Sequence, residues 1–248
     1  MEKLLDRIQV YWNKRAASYS EGLFSDETIG RWRKALRENL PKCHVRKVLD
    51  IGTGPGFFAS VLSMEGYEVT AVDYSPGMLE QARENADDHG AVVRFMQMDA
   101  QKLDFPDNTF DAVVSRNLTW NLEDPALAYA EWLRVLRPGG IMLNFDSSWY
   151  EYLYNGDMAE KYKEDRINTV RSGLVDGSIS YSDSPVMEEI SKELIFSRYH
   201  RPQADLKILE KMAARSVEAD ETVWQTLWDK EEKIMYASTP MFMIKVIK

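Results

Sequence analysis

Cysteine is nearly absent. Cys43 stands alone among 248 residues, so no disulfide can close within the chain, and with three scattered histidines it gives no zinc-ligand spacing. No metal site is expected. Basic charge is also short: 31 Lys and Arg face 40 Asp and Glu, for a formal net charge of −9. Such a balance repels phosphate backbones and anionic lipid, which argues against a nucleic-acid partner and against a membrane surface. No run approaches the roughly 18 apolar residues of a membrane span. The opening residues carry Glu2 and Asp6 and no apolar stretch, so no export signal is expected there and the cytoplasm is the expected compartment. Repeats and low-complexity tracts are missing too. What is present, 44% hydrophobic and 29% charged residues, suffices for a core under a solvated surface, in one large α/β domain with an insertion.

The first forty residues read as helical. Tyr11, Trp12, Ala16 and Tyr19 share roughly one helical face, and a second helix over 26–39 is ended by Pro41. From residue 47 the period changes. Apolar runs at 47–52, 68–73, 92–98, 110–115 and 141–145 read as strands. Between them, 57–65, 76–86 and 124–136 read as helices, the second capped by Ser75 with Pro76 in its first turn. Strand and helix alternate five times, which predicts an open parallel sheet with helices on both faces and a ligand at the carboxyl ends of its strands. After Asp146 the alternation breaks. Residues 147–203 are rich in Tyr, Glu, Lys and Ser and too long for a plain loop, so a mainly helical cap is expected after the fifth strand. A helix over 204–215 and a closing strand at 241–247 complete the pattern. The expected organisation is a helical lid at 1–40, a ligand-binding domain at 41–146 and 204–248, and a cap at 147–203 that selects the second ligand.

Gly52-Thr53-Gly54-Pro55-Gly56 lies between the first strand and the helix after it. Three glycines let the backbone approach a ligand closely, and the helix N-terminus behind them favours an anion. A dinucleotide site would want G-x-G-x-x-G, but the sixth position here is Phe57. Asp50, two residues before the first glycine, would repel a pyrophosphate and could accept from a cationic amino group. A ligand with an amino group and a carboxylate is an amino acid, and methionine is one end of S-adenosylmethionine. Asp73 ends the second strand, where an acid takes ribose hydroxyls. Asp99 ends the third, where it can accept from an adenine amino group beside Ala100, with Tyr74, Met78 and Leu103 as walls for the ring.

These segments, followed by Phe105-Pro106-Asp107-Asn108-Thr109-Phe110-Asp111 and Leu136-Arg137-Pro138-Gly139-Gly140, resemble the class I S-adenosylmethionine-dependent methyltransferases. The likeness is to the small-molecule, methyltransferase-type-11-like branch that includes enzymes of quinone-like metabolites. It spans about 45–146 and, more weakly, 204–248. The resemblance implies a Rossmann-like, mostly parallel seven-stranded sheet whose last strand is antiparallel. It implies cofactor contacts at Gly52, Thr53, Gly54, Asp73, Tyr74, Asp99, Ala100 and the segment after the fourth strand. That segment, Ser115 to Asn121, places Arg116 and Asn117 beside the cofactor, and an N-terminal lid would add Tyr11 and Tyr19. Asp50, Gly56 and Met78 join them from the residue-level argument.

Methyl transfer to a small-molecule acceptor by in-line displacement (EC 2.1.1.-) is therefore the expected activity, with S-adenosylhomocysteine as product. It needs alignment and water exclusion more than a base. Where family members often carry a histidine or paired aromatics after the fourth strand, this chain has Asn117 and Trp120. These two and His200, the one histidine of the expected cap, are the candidate catalytic residues. Two other classes stay open: a protein or RNA methyltransferase, and a protein that binds the cofactor without methyl transfer. The spacing does not choose among O, N, C and S acceptors, or between monomer and homodimer.

Overall fold

The structure is a computed structural model and describes residues 3–20, 22–175 and 184–248. Residues 1–2 and 21 of the expected lid, and 176–183 of the expected cap, lie outside the described residues.

The five alternating apolar runs become β1 (Lys47–Ile51), β2 (Glu68–Asp73), β3 (Val93–Gln97), β4 (Phe110–Arg116) and β5 (Leu136–Asp146). They are joined by β6 (Ser216–Asp220) and β7 (Phe242–Ile247) in one seven-stranded sheet of order β3-β2-β1-β4-β5-β7-β6. β1 to β5 pair in parallel, and β7 runs antiparallel between β5 and β6. The central strands are buried on both faces, so they read as continuous apolar runs. Val48 and Ala112 pack with α2 (Asp26–Asn39) and α3 (Phe57–Met64) on one face. Leu49 and Val113, one residue on, pack with α5 (Pro125–Val135) on the other. α4 (Pro76–Asp88) follows β2, its first turn closed by the Ser75 hydroxyl accepting from the Met78 N–H at 3.1 Å.

Two expectations change. Helix 204–215 stops at Leu209 as α8 (Gln203–Leu209), because the chain must turn back to reach β6, where the Arg215 N–H donates to the Ile247 carbonyl at 2.7 Å. β6 itself has no apolar run to signal it: as an edge strand it is half-exposed, and Ser216-Val217-Glu218-Ala219-Asp220 suits that position. β5 also begins earlier than expected, since Gly139 and Gly140 pair with the backbone of Lys248.

α1 (Leu4–Ser20) lies across the carboxyl ends of the first strands. After β5 come α6 (Gly156–Arg171) and α7 (Ser184–Ser191), with short 3-10 turns at Glu151–Leu153 and Ile195–Arg198. A third apolar cluster joins Ile8 and Tyr11 of α1 to Trp120 and to Met187 and Ile190 of α7, so α1 and α7 pack on each other. α9 (Trp224–Leu227) and α10 (Lys230–Met235), between β6 and β7, were not legible as elements. No helix among the described residues is long and apolar enough to cross a membrane.

Candidate functional site

Two cavities meet above the carboxyl ends of β1, β2 and β4. The first is a cleft of about 930 Å³, mouth included, floored by the glycine loop. Gly52, Gly54 and Gly56 have φ of +65°, +54° and +83°, left-handed values that side chains resist. A Cβ on Gly52 would meet the Leu118 side chain at 2.6 Å, whereas Gly54 has open space above it. Gly56 serves packing instead: its Cβ position meets Ala82 at 2.9 Å, which lets α3 and α4 come together. Gly52→Ala should therefore cost roughly 1–2 kcal/mol of backbone strain and displace Leu118. A calorimetric titration with S-adenosylhomocysteine should show at least about tenfold weaker binding, and an unchanged Kd would contradict this account of the loop.

Asp73 organises that loop. One carboxylate oxygen accepts from the Gly54 N–H at 2.8 Å and the other from the Ser75 N–H at 2.9 Å. Each oxygen keeps a free lone pair for a further donor. Burial pushes its carboxyl up to about 6, while the Ser75 and Gly54 N–H groups pull it down. Asp50, 1% exposed, accepts from the Thr53 hydroxyl at 2.6 Å. Burial raises it to about 7, opposed by Thr53 and by the Arg116 guanidinium. One buried and one half-buried acid, both with raised pKa values, make a site that gains from a cation. Asp99 holds the Gln101 N–H at 2.8 Å at the far end of the cleft.

α1 is strapped over this cleft. Asn13 Oδ1 accepts from the Ser75 hydroxyl at 2.7 Å and the Gly77 N–H at 2.9 Å. Gln9 donates to the Tyr74 carbonyl at 2.8 Å, and the Trp12 indole N–H donates to Asn121 Oδ1 at 2.7 Å.

The second cavity is a chamber of about 2150 Å³, mouth included, under α6, α7 and α10. It shares Trp12, Tyr19, Arg116 and Asn117 with the cleft. Asn117 has φ +54°, and its side-chain oxygen is buried with no hydrogen-bond partner among the described residues. The left-handed backbone aims Asn117 into the junction of the two cavities, where its unpaired oxygen is able to accept from a ligand.

Of the residues singled out from sequence, Tyr19, Asp50, Gly52, Thr53, Gly54, Asp73, Tyr74, Met78, Asp99, Ala100, Arg116 and Asn117 line the cleft. Gly56 lies behind it. Tyr11 lies on the chamber side, as does Trp120, whose indole N–H donates to the Asn117 carbonyl at 3.0 Å. His200 lines neither cavity: Glu151 accepts from or donates to its Nδ1 at 2.8 Å on the outer surface, where its side chain is 60% exposed. Sequence reasoning missed Gln9, Asn13, Trp228, Glu232 and Tyr236. The last three reach the chamber from beyond residue 203, so its walls come from several separated stretches, α1 and the segment after β4 among them, rather than from 147–203 alone.

Below the chamber wall lies an ionic cluster that the sequence did not announce. Arg201, 3% exposed, donates to Asp205 at 2.7 and 2.8 Å, to Asp146 at 2.9 Å and to the Thr119 hydroxyl at 2.5 Å. Burial alone would push Arg201 down, but Asp146 and Asp205 reverse this and raise it. Asp146 in turn accepts from the Trp120 N–H at 3.0 Å.

A family model described as a methyltransferase domain matches residues 49–144. The chain is 39% identical over 119 residues to a demethylmenaquinone methyltransferase of Thermus thermophilus, covering 46% of this chain and 54% of that protein. It is 36% identical over 129 residues to a phosphatidylethanolamine N-methyltransferase of Cereibacter sphaeroides, covering 50% and 63%. The chain thus spans little more than half the length of such curated relatives. A solved S-adenosylmethionine-dependent methyltransferase from Aquifex aeolicus superposes with a TM-score of 0.60 at 19% identity, over 95% of this chain and 97% of that one, which shows a shared fold. The likeness to a methyltransferase domain is thus carried by residues 49–144, and the sheet order and the glycine loop agree with it.

Proposed function

We propose that the chain transfers a methyl group from S-adenosylmethionine to a small-molecule acceptor held in the chamber. The observation that carries this is the junction: cleft and chamber abut and share Trp12, Tyr19, Arg116 and Asn117. The cleft residues suit the cofactor. Asp50 faces an amino group, Gly52, Thr53 and Gly54 run along the amino-acid moiety, Asp73 takes ribose hydroxyls, and Asp99 with Ala100, Tyr74 and Met78 receives the adenine. When bound, the cofactor supplies a sulfonium methyl that departs without an acid's help. The chain's own residues align the acceptor and exclude water, with α1 and the cap as covers. The unpaired Asn117 oxygen accepts a hydrogen bond from ligand at the junction. A concave, aromatic-lined chamber and a net charge of −9 favour a small acceptor over RNA or protein. A reducing, cytoplasmic compartment suits the exposed thiol of Cys43.

Calorimetry should show S-adenosylhomocysteine binding at one site per chain, and metabolite extracts should yield S-adenosylhomocysteine from S-adenosylmethionine. Saturable binding with no turnover on any extract would leave the cofactor site standing and remove the transferase.

Asp50 makes binding pH-dependent. In the free protein its pKa is raised from 3.8 to about 7, so its contribution to stability is present at acid pH and is lost as pH rises through 7. A bound ammonium reverses that preference, and below pH 7 the carboxyl must shed a proton to bind. The Kd for S-adenosylhomocysteine should be about 30-fold weaker at pH 5.5 than at pH 8. In Asp50→Asn the dependence should flatten; a profile as steep as wild type would assign it elsewhere.

A further inference from the structure

We propose that the acceptor is a polar-substituted aromatic ring bearing an anionic group, and that Arg116 receives that group; this rests on the methyl-transfer reading above. The chamber wall is aromatic in an unusual proportion. Of 24 lining residues, five are Trp and six are Tyr, and none is Phe. Every ring therefore carries an N–H or O–H, so the wall offers flat faces with polar edges. Leu23, Pro185, Met187, Met235 and Met241 are the aliphatic remainder, too few to sheathe an acyl or prenyl chain. Planar stacks already form there: Trp120 and Tyr150 are tilted at 5.1 Å, and Tyr152 lies on Tyr162 at 4.1 Å and 9°.

Charge decides the substituent. Arg116 lies at the junction with its guanidinium 4.8 Å from the Phe57 ring centre and 5.5 Å from that of Trp32. Among the described residues no carboxylate comes within 4 Å of it and no hydrogen bond uses its N–H groups. Stacking on rings holds the planar fork while leaving its edge donors open, which suits bidentate capture of a carboxylate. The chamber's acids are largely occupied. Asp165 accepts from the Ser238 N–H at 2.8 Å, and Glu232 accepts from the Asp229 N–H at 2.9 Å in the cap of α10. Among the described residues that line the chamber, Glu188 is then the acid left to meet an ammonium acceptor.

The probes are 3-hydroxy-2-naphthoate, the neutral 2-naphthol and the cation tyramine, each titrated calorimetrically into protein saturated with S-adenosylhomocysteine. The acid should bind at least about tenfold tighter than 2-naphthol, and tyramine weakest. Arg116→Gln should erase the preference for the acid and Arg116→Lys should keep part of it, each read as the ratio of acid to naphthol affinity in protein saturated with S-adenosylhomocysteine, so that any change in cofactor affinity at this cleft-lining residue cancels. Should Arg116→Gln fail to fold by circular dichroism, Arg116→Lys alone carries the comparison. Equal binding of acid and naphthol by the wild type, or tighter binding of tyramine, would overturn the proposal. So would variants that weaken S-adenosylhomocysteine while keeping the acid preference, since the guanidinium would then serve the cofactor. A wild type that fails to bind S-adenosylhomocysteine would sink the methyltransferase reading itself, a separable result.

Discussion

Arg201→Met will lower the folding free energy by about 3–5 kcal/mol, because it leaves two buried carboxylates without their shared cation. Asp146 and Asp205 are both 0% exposed, and Arg201 supplies donors to each. The Tyr129 hydroxyl also donates to Asp205, at 2.6 Å, and the Asn144 amide donates to the Tyr129 hydroxyl and the Thr119 hydroxyl, so the neighbouring donors are already engaged. For a chain of this size the loss corresponds to a fall in Tm of roughly 10 °C. Activity should fall with it even below the melting range. Asp146 orients Thr119 and Trp120, and Trp120 walls the chamber, so under the proposed reading a loosened cluster would misplace a ligand held there. The triple change Arg201→Met, Asp146→Asn, Asp205→Asn removes all three charges and should recover much of the Tm, because a neutral cluster avoids the desolvation cost. Differential scanning fluorimetry decides the matter: a single variant within 2 °C of wild type would mean that the carboxylates find other partners.

Asp73→Asn will weaken S-adenosylhomocysteine binding by about 100-fold, the worth of one or two hydrogen bonds to a charged acceptor. The wild-type carboxylate can hold the Gly54 and Ser75 N–H groups and still accept from ribose hydroxyls. An amide has one oxygen, so its NH₂ must face an N–H, and either the loop or the ligand loses its partner. The free protein should change much less. Burial already raises Asp73 to about 6, so a neutral side chain escapes a cost that the ionised carboxylate bears at pH 8. The signature is a lost thermal shift with ligand, while the ligand-free Tm moves by less than about 3 °C. A Kd unchanged in calorimetry would place the ribose elsewhere.

How much of this was legible differs by element. The cleft was readable because it is local in sequence. Gly52, Gly54 and Gly56 fall within five residues, and Asp50, Asp73 and Asp99 lie at or just beyond the ends of strands whose apolar runs mark their boundaries. A parallel sheet aligns those ends, so a one-dimensional pattern already implies a three-dimensional row. β6 was silent because an edge strand needs no apolar run. His200 looked promising because it is alone in the cap, yet one histidine in a polar stretch has no neighbour in sequence to say which way it faces, and Glu151 holds it outward.

The sequence by itself determined the alternating α/β architecture, the glycine loop and the three strand-end acids, since each depends on residues close together in the chain. Tertiary structure alone decided the chamber and the ionic cluster. Trp12, Trp120, Tyr150 and Trp228 meet across more than 200 residues, and Arg201 finds Asp146 from 55 residues away. Such contacts follow no period. They arise when packing brings α1, α6, α7 and α10 to the same end of the sheet, which no local pattern in the chain encodes.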